Sequence, residues 1–296
     1  MAKIEGTGKD LAKVAGGTIA KPSESLTVGQ LERALLARFP RADAEEWDRM
    51  GLLAGDPAVP VTGVMTALDP TRPAIDAACA AGANVLLTHH PAFLDPPEAF
   101  SPSREVASAS GTVVYDAIAK GVALMNFHTA LDVSAEAVRL LPGMLSLDFQ
   151  RVLVPIGNDP AKGYGQLCKV RATDAPFKLS HLSARCTSVF GRAPRVWGDP
   201  DLVVENVVIA NGSAGNVIEE CVNAHVDCLI CGEARYHASL DAWQGGLSII
   251  EVGHDTSELP LAAVLARAAV DAGIDPALVT VFDQGHNWAS PESTRV

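Results

Sequence analysis

The sequence contains no run of basic residues that could follow a nucleic-acid backbone. Its 23 Lys and Arg residues are scattered among 35 Asp and Glu residues, and the formal net charge is −12. Sequence-independent binding to nucleic acid depends on clustered positive charge, so we expect no nucleic-acid partner. The composition favours a small ligand or a protein partner instead.

Long apolar segments are also absent. No stretch of the sequence approaches the roughly 20 apolar residues that a membrane-spanning helix needs. The N-terminus carries charge but lacks the apolar segment of a secretory signal. The sequence therefore predicts a cytoplasmic protein that does not contact a membrane.

Cysteine is sparse, with six residues in a chain of 296. The six lie in apolar segments and not in a loop-rich framework, which is typical of buried free thiols in a reducing compartment. Cys228 and Cys231 have a spacing found in zinc sites, but they fall in a segment that is predicted to be a buried strand. Positions three apart on a strand point to opposite faces, so we predict two core thiols there.

What the sequence does contain is an alternation of predicted strands and helices. Of its residues 48% are apolar and 20% are charged, as in soluble globular proteins, and the length allows one large or two modest domains. Such an alternation predicts an α/β fold in which largely parallel sheets are flanked by helices. The clearest predicted strands are residues 61–68, 84–88, 122–127, 206–210, 227–231 and 247–252.

The chain divides into an extension and two predicted lobes. Residues 1–25 are rich in Gly, Lys, Ala and Ser with weak periodicity, and we take them as an N-terminal extension. Residues 26–141 are predicted to form a first α/β lobe and residues 142–296 a second. The pattern is weakest between Pro142 and about Asp201, and we expect the two lobes to form one integrated unit.

Histidines and carboxylates follow three of the predicted strands. In open parallel sheets, ligands bind beyond the carboxyl ends of the strands, so we expect the three segments to lie along that edge. Together they favour one metal site over three unrelated roles. The residues concerned are His89 and His90, His128 and Asp132, and His254 and Glu258.

Each of these segments also has a structural explanation. For the His89-His90 pair taken alone, one buried and one solvated histidine is the favoured explanation, whereas a metal site would direct the diverging side chains to different ions. Asp132 could start the next helix, and its spacing from the preceding histidine leaves both roles open. Asp255-x-x-Glu258 approximates a capping box, which would explain Glu258 without a metal.

A further segment, residues 211–215, combines Asn, Gly and Ser before a predicted helix. Backbone N–H groups at such a position could bind a phosphate. A tight turn before a helix explains the same residues, and the sequence does not decide between the two.

Several segments resemble a known family, in the same order and with similar spacing over about residues 28–285. They are Glu46-Trp47-Asp48-Arg49-Met50-Gly51-Leu52, Leu68-Asp69, Thr88-His89-His90-Pro91, His128-Thr129-Ala130-Leu131-Asp132, Gly232-Glu233-Ala234-Arg235-Tyr236-His237 and Gly253-His254-Asp255-Thr256-Ser257-Glu258. The sequence resembles the Nif three-like proteins, also called the GTP cyclohydrolase I type 2 family of dinuclear metal-centre proteins. One departure is Arg49, where the family has Asn.

The resemblance implies a fold, an assembly and a ligand set. Two related α/β lobes would hold the metal site in the cleft between them, and the chains would assemble into a toroidal homohexamer. Two divalent ions would be bound, with Glu258 as the bridge between them. The implied ligands are His89, His90, Asp132, His254 and Glu258, and the implied pocket residues with a catalytic role in proton transfer are His128 and His237.

The implied function is hydrolysis. Mixed nitrogen and oxygen ligands suit zinc, iron, manganese or nickel better than calcium. A metal-bridging hydroxide would attack a nucleotide or another small phosphorylated or N-heterocyclic compound, and the positive site would favour an anionic substrate. The alternative is a non-enzymatic metal-binding scaffold, metal chaperone or regulatory partner. The absence of Cys ligands and the open positions on the ions favour catalysis.

Overall fold

The computed structural model describes residues 26–157, 159–174, 176–215, 217–285 and 287–288. The predicted N-terminal extension, residues 1–25, lies outside the described residues. Within them, no helix combines the length and the apolar character needed to cross a membrane.

The described chain alternates strands and helices, as predicted. The strands are β1 (Gly51–Ala54), β2 (Val64–Ala67), β3 (Val85–Thr88), β4 (Ala123–Asn126), β5 (Asp148–Pro155), β6 (Gly163–Lys169), β7 (Arg195–Trp197), β8 (Asn206–Ser213), β9 (Cys228–Glu233), β10 (Ser248–Glu251) and β11 (Val279–Val281). The helices are α1 (Val28–Arg38), α2 (Arg72–Ala80), α3 (Ala109–Ala119), α4 (Thr129–Asp132), α5 (Ala137–Met144), α6 (Leu179–Phe190), α7 (Val217–Asn223), α8 (Tyr236–Gln244), α9 (His254–Glu258) and α10 (Leu261–Asp271).

The first sheet has the strand order β1-β4-β3-β2-β11, and all pairs except β1 with β4 are parallel. Its side chains alternate between two apolar layers, as period-two geometry requires. Val85 and Leu87 pack with α1 and α10 on one face. Leu86 packs with α2 and α3 on the other face. The carboxyl ends of β3 and β4 therefore meet at one edge of a sheet covered on both faces.

The second sheet has the order β5-β6-β8-β9-β10-β7 and is mixed. Only β8, β9 and β10 pair in parallel, whereas β5, β6 and β7 are joined to it by antiparallel pairing. The short connection between β5 and β6 explains part of this difference from the prediction, because a parallel pair needs a long crossover. Two sheets flanked by helices nevertheless confirm the predicted α/β fold.

The cysteines of the second sheet are core thiols, as predicted. Cys228 lies in the apolar layer on one face of β9 and Cys231 in the layer on the other. Burial raises the pKa of both thiols, which keeps them protonated and unreactive. All six cysteines are free, and Cys79 differs from the others because it is exposed.

The chain crosses back to the first lobe near its C-terminal end. Leu261, Val264 and Leu265 of α10 pack into the core of the first sheet, and β11 pairs in parallel with β2. The sequence-based division, which placed all of residues 142–296 in the second lobe, is therefore wrong for α10 and β11. The apolar stripe of α10 predicts a buried helix but carries no signal for which sheet buries it.

Shortening a core side chain of α10 should destabilise the protein. Leu265 is fully buried, and Leu265→Ala should lower the free energy of unfolding by about 2–5 kcal/mol because the cavity cannot fully collapse. Equilibrium unfolding in urea measures this loss. Arg267→Ala, at an exposed position of the same helix, is the matched control and should change stability by no more than about 0.5 kcal/mol. Equal effects of the two substitutions would contradict the placement of α10.

Candidate metal centre

The ends of strands in both sheets bring the predicted ligands together. His89 and His90 directly follow β3, and His128 follows β4, its parallel neighbour. From the second sheet, β10 leads into α9, which carries His254 and Glu258. The cluster that results is formed by six of the predicted residues, His89, His90, His128, Asp132, His254 and Glu258.

Glu258 lies at the middle of this cluster. Its side chain is buried, and its Oε2 atom is 3.0 Å from Nε2 of His90 and 3.0 Å from Nε2 of His254. Its Oε1 atom faces the other way, 3.6 Å from Nε2 of His89. That Nε2 atom is also 3.5 Å from Oδ1 of Asp132. The two oxygens of one carboxylate thus belong to two different groups of ligand atoms.

The donor atoms form overlapping groups in which every atom lies within 4.8 Å of the others. A third group, which contains His128, overlaps the two that share Glu258. His128 is therefore within reach of the ligand atoms of His89 and His90. The groups are His90 with His254 and Glu258, His89 with Asp132 and Glu258, and His89 with His90 and His128.

His89 supplies a physical test of whether a metal ion fits this cluster. Its side chain has no exposed surface, and neither ring nitrogen has a hydrogen-bond partner among the described residues. Burying an unpartnered polar group costs free energy, and proteins rarely do so without a reason. A divalent ion between Nε2 of His89 and the nearby carboxylate oxygens would supply the missing partner, so the residues fit a metal ion.

Carboxylates outside the cluster hold three of the histidines in position. An ionised carboxylate can only accept a hydrogen bond, so each Nδ1–H group donates outwards, away from the cluster. This arrangement is common around histidine ligands of metals because it fixes the ring and its tautomer. The pairs are His90 Nδ1 with Asp69 Oδ1 at 2.7 Å, His128 Nδ1 with Asp48 Oδ1 at 3.0 Å, and His254 Nδ1 with Glu233 Oε1 at 3.1 Å.

The close approach of β8 to α9 depends on a glycine. Gly212 has φ +60°, and a Cβ atom there would lie 2.2 Å from Oε1 of Glu258. Ser257 joins the two elements, because its hydroxyl accepts a hydrogen bond from the N–H of Gly212 and donates one to the carbonyl of His254, both at 2.8 Å. Residues 211–213 of the segment considered for phosphate binding belong to β8, and Gly212 packs against Glu258.

The structure contradicts the structural explanations for two of the carboxylates. The N-cap of α9 is Gly253, with no side-chain capping bond, and Asp255 instead accepts a hydrogen bond from Arg192. Glu258 is therefore not part of a capping box. Asp132 ends the short helix α4 and does not start α5, and it accepts a 2.6 Å hydrogen bond from the side chain of Asn211.

Charge pairing holds the cluster together when no ion is bound. Burial would lower the pKa of His90, but Asp69 and Glu258 outweigh it and raise the pKa to about 10. The hydrogen bond with Glu258 raises the pKa of His254 to about 9. Burial would raise the pKa of Glu258, but its histidine partners hold it well below the ordinary value. Burial raises the pKa of Asp132.

His237, the remaining predicted pocket residue, does not join the cluster. It is exposed on α8, and its ring meets the ring of Tyr236 with centroids 5.3 Å apart. The residues that sequence reasoning missed are those that position the others: Asp48, Asp69, Asn211, Glu233 and Ser257. Asp48, Asp69, Glu233 and Ser257 lie inside the segments that carry the family resemblance, which was the available signal.

Two cavities border the cluster. The first, of about 580 Å³, is lined by four cluster residues, namely His128, Asp132, His254 and Glu258. The second, of about 1020 Å³, meets the cluster only through His254. Its two arginines are already paired, Arg192 with Asp255 and Arg195 with Glu251. A small molecule that must reach several cluster residues therefore fits the first cavity, which we call the cluster cavity.

Comparison with known proteins identifies the family. The family model described as Duf34/NIF3 (NGG1p interacting factor 3) matches residues 26–275. The chain belongs to this family. A Streptomyces coelicolor relative, described as a GTP cyclohydrolase 1 type 2 homolog, is 31% identical over 234 residues, which cover 77% of this chain and 80% of the relative. The resemblance found in the sequence is thereby confirmed.

Solved structures show the Duf34/NIF3 fold as well. A Staphylococcus aureus hypothetical protein superimposes with a TM-score of 0.77 at 22% identity, covering 90% of this chain and 99% of the other. A Bacillus cereus protein related to NIF3 superimposes with a TM-score of 0.76 at 19% identity, covering 86% and 96%. At these identities the likeness confirms the fold of the chain and no more.

The metal-free protein should be most stable on the acid side of neutrality. His90 and His254 have raised pKa values in the folded state, about 10 and about 9. Their stabilising contribution is therefore full below the unfolded pKa of about 6.5 and is lost as the pH rises through the folded values. We expect the Tm of chelator-treated protein to fall between about pH 6.5 and pH 10, measured by thermal unfolding.

The control for this pH dependence is a histidine outside the cluster. His254→Gln should flatten the alkaline fall in Tm, whereas His181→Gln, at an exposed position of α6, should leave it unchanged. A Tm that rises over the same pH range, or a slope that His254→Gln does not alter, would show that the His–Glu pairs do not stabilise the metal-free fold.

Proposed function

We propose that the chain is a metal-dependent hydrolase that binds two divalent ions and acts on a nucleotide or another small phosphorylated or N-heterocyclic compound. One observation carries the proposal: the buried carboxylate of Glu258 presents Oε2 to His90 and His254 and Oε1 to His89. A single carboxylate between two donor groups is the arrangement that a bridged pair of ions needs. The description of relatives as GTP cyclohydrolase 1 type 2 homologs supports the substrate class.

The residues divide between the two ions by position. His89 and Asp132 would hold one ion, His90 and His254 the other, and Glu258 both. When bound, two divalent ions lower the pKa of coordinated water and polarise the substrate. Mixed nitrogen and oxygen donors suit zinc, iron, manganese or nickel. Five protein ligands for two ions leave positions open, as in catalytic and not in structural zinc sites.

His128 is suited to accept and return a proton at this centre. Burial would raise the pKa of Asp48, but hydrogen bonds from His128 and Thr129 outweigh it and lower the pKa to about 2. Asp48 is therefore ionised and holds the Nδ1–H group of His128, while the Nε2 atom faces the cluster. A fixed tautomer with a free lone pair is what a general base requires.

The catalytic role of His237 receives no support from its exposed position on α8. The anionic substrate, the cytoplasmic location and the toroidal homohexamer stay predictions. A metal-binding scaffold without catalysis is the alternative that the experiments below distinguish.

Elemental analysis of protein purified without added metal should find about two divalent ions per chain. Because Glu258 serves both groups, Glu258→Gln should remove most of both ions, whereas Asp132→Asn should remove about one. Glu136→Gln is the matched control: Glu136 pairs with Arg38 and belongs to none of the candidate ligand groups, and the variant should keep both ions. Fewer than one ion per wild-type chain would rule out the dinuclear site.

A hydrolysis screen over nucleotides, phosphoesters and cyclic amides tests the enzymatic activity. We expect turnover by the metal-loaded protein, and His128→Asn should lower kcat by about 10²–10⁴-fold while keeping the metal content. Asp48→Asn should lower kcat as well, because His128 loses the partner that fixes its tautomer. Metal-loaded wild-type protein that is inert towards every compound would favour the scaffold.

A further inference from the structure

The cluster cavity has the size and lining of a small-molecule site. Its volume of about 580 Å³ lies within the range of about 300–1,000 Å³ that is typical of ligand pockets. Val154, Ala214 and Val217 give it apolar walls, and Asn211 and Ser213 add a few polar groups. The cluster carboxylates and histidines form one side, so a molecule bound in the cavity can reach the ions proposed above.

Trp47 stands out among the residues that line this cavity. It lies in the turn before β1, and 56% of its surface is exposed. A large aromatic side chain that is left exposed beside a cavity is more informative than an exposed small apolar one. Its ring contacts the ring of His128, with centroids 5.8 Å apart and an interplanar angle of 71°, so the indole lies beside the cluster.

The backbone that carries Trp47 is held rigidly. The next residue, Asp48, accepts hydrogen bonds from Nδ1 of His128 at 3.0 Å and from the N–H and the hydroxyl of Thr129 at 3.0 and 2.6 Å. The indole therefore projects from an anchored turn, with more than half of its surface exposed. An aromatic group fixed in this way loses little conformational entropy when a ligand stacks on it.

A second aromatic residue lines the same cavity from the other lobe. Tyr164 of β6 is half-buried, and its hydroxyl donates a hydrogen bond to Oε1 of Glu45 at 3.0 Å. Glu45 belongs to the turn that carries Trp47, so this bond ties the two sides of the cavity together. Flat aromatic and apolar walls beside a few polar groups select a flat, partly polar ligand.

The charges of the cavity add a condition. Glu45, Asp132 and Glu258 all line it, and in the metal-free protein the charges of His90 and His254 are already paired with Glu258. Two divalent ions would bring four positive charges and reverse that balance. An anionic ligand with a planar ring therefore fits the metal-loaded cavity better than the metal-free one.

From these observations we infer that Trp47 is the stacking platform for the planar base of a nucleotide bound in the cluster cavity. The inference rests on the proposed function, and it assigns to Trp47 the preference for a ligand that carries a planar ring. The base would lie against the indole while another part of the nucleotide reaches the metal centre. Such stacking is tolerant of base identity, since every base has a π-face.

Binding measurements on metal-loaded protein test the inference, with GTP, ATP and inorganic triphosphate as probes. Trp47→Ala should weaken binding of GTP and ATP by roughly tenfold or more and leave triphosphate binding unchanged. Trp47→Phe should keep most of the affinity, because it keeps a ring face. Trp243→Ala is the matched control, since Trp243 is 48% exposed on α8 and lies outside the cavity lining.

Three results would overturn the inference. The wild-type protein could bind neither nucleotide, or it could bind nucleotides no more tightly than triphosphate. The Trp47→Ala substitution could also weaken the binding of all probes equally, or of none. Metal content, measured on the same preparations, shows whether the cluster is intact in each variant. Nucleotides that bind through Trp47, together with no turnover of any compound in the hydrolysis screen, would contradict the hydrolase and support the platform. If the protein hydrolyses compounds that lack a ring, and Trp47→Ala does not affect this activity, the hydrolase would be supported and the platform contradicted.

Discussion

The structure depends on one buried carboxylate that is shared between two sheets. Glu258 follows β10 of the second sheet, and the histidines that it meets include His89 and His90, which follow β3 of the first. A buried charge is stable only when it is paired, so neither lobe can bury its half of the cluster without the other. The packing of the two lobes against each other and the pairing of charges in the cluster therefore depend on the same contacts.

The sequence predicted the local elements and the central residues well, because both leave short-range patterns. Apolar runs followed by His or Asp placed β3, β4 and the six cluster residues correctly. The positioning residues were missed, since a partner such as Asp48 for His128 is distant in sequence and ordinary in composition. The sequence left the role of Gly212 undecided for a related reason: a glycine that makes room for Glu258 has the same local pattern as a glycine in a turn.

The division into lobes failed at a place where periodicity carries no information. An apolar stripe predicts that α10 is buried but is silent on which sheet buries it. The break at Leu259-Pro260 between α9 and α10 marks the crossing, because proline lacks the N–H group that a continuous helix would need. Two residues after Glu258, the chain thus leaves the second lobe for the first.

That return path has a consequence for synthesis. The first sheet lacks its edge strand and one covering helix until residues 261–281 have been made. Domains tend to fold as units while the chain emerges from the ribosome, but here α10 and β11 of the first lobe are made after all the strands of the second sheet. The first histidines of the cluster leave the ribosome long before Glu258 does, so the nascent chain carries incomplete ligand sets for most of its translation. An ion that needs the complete cluster could therefore bind only after Glu258 has been made.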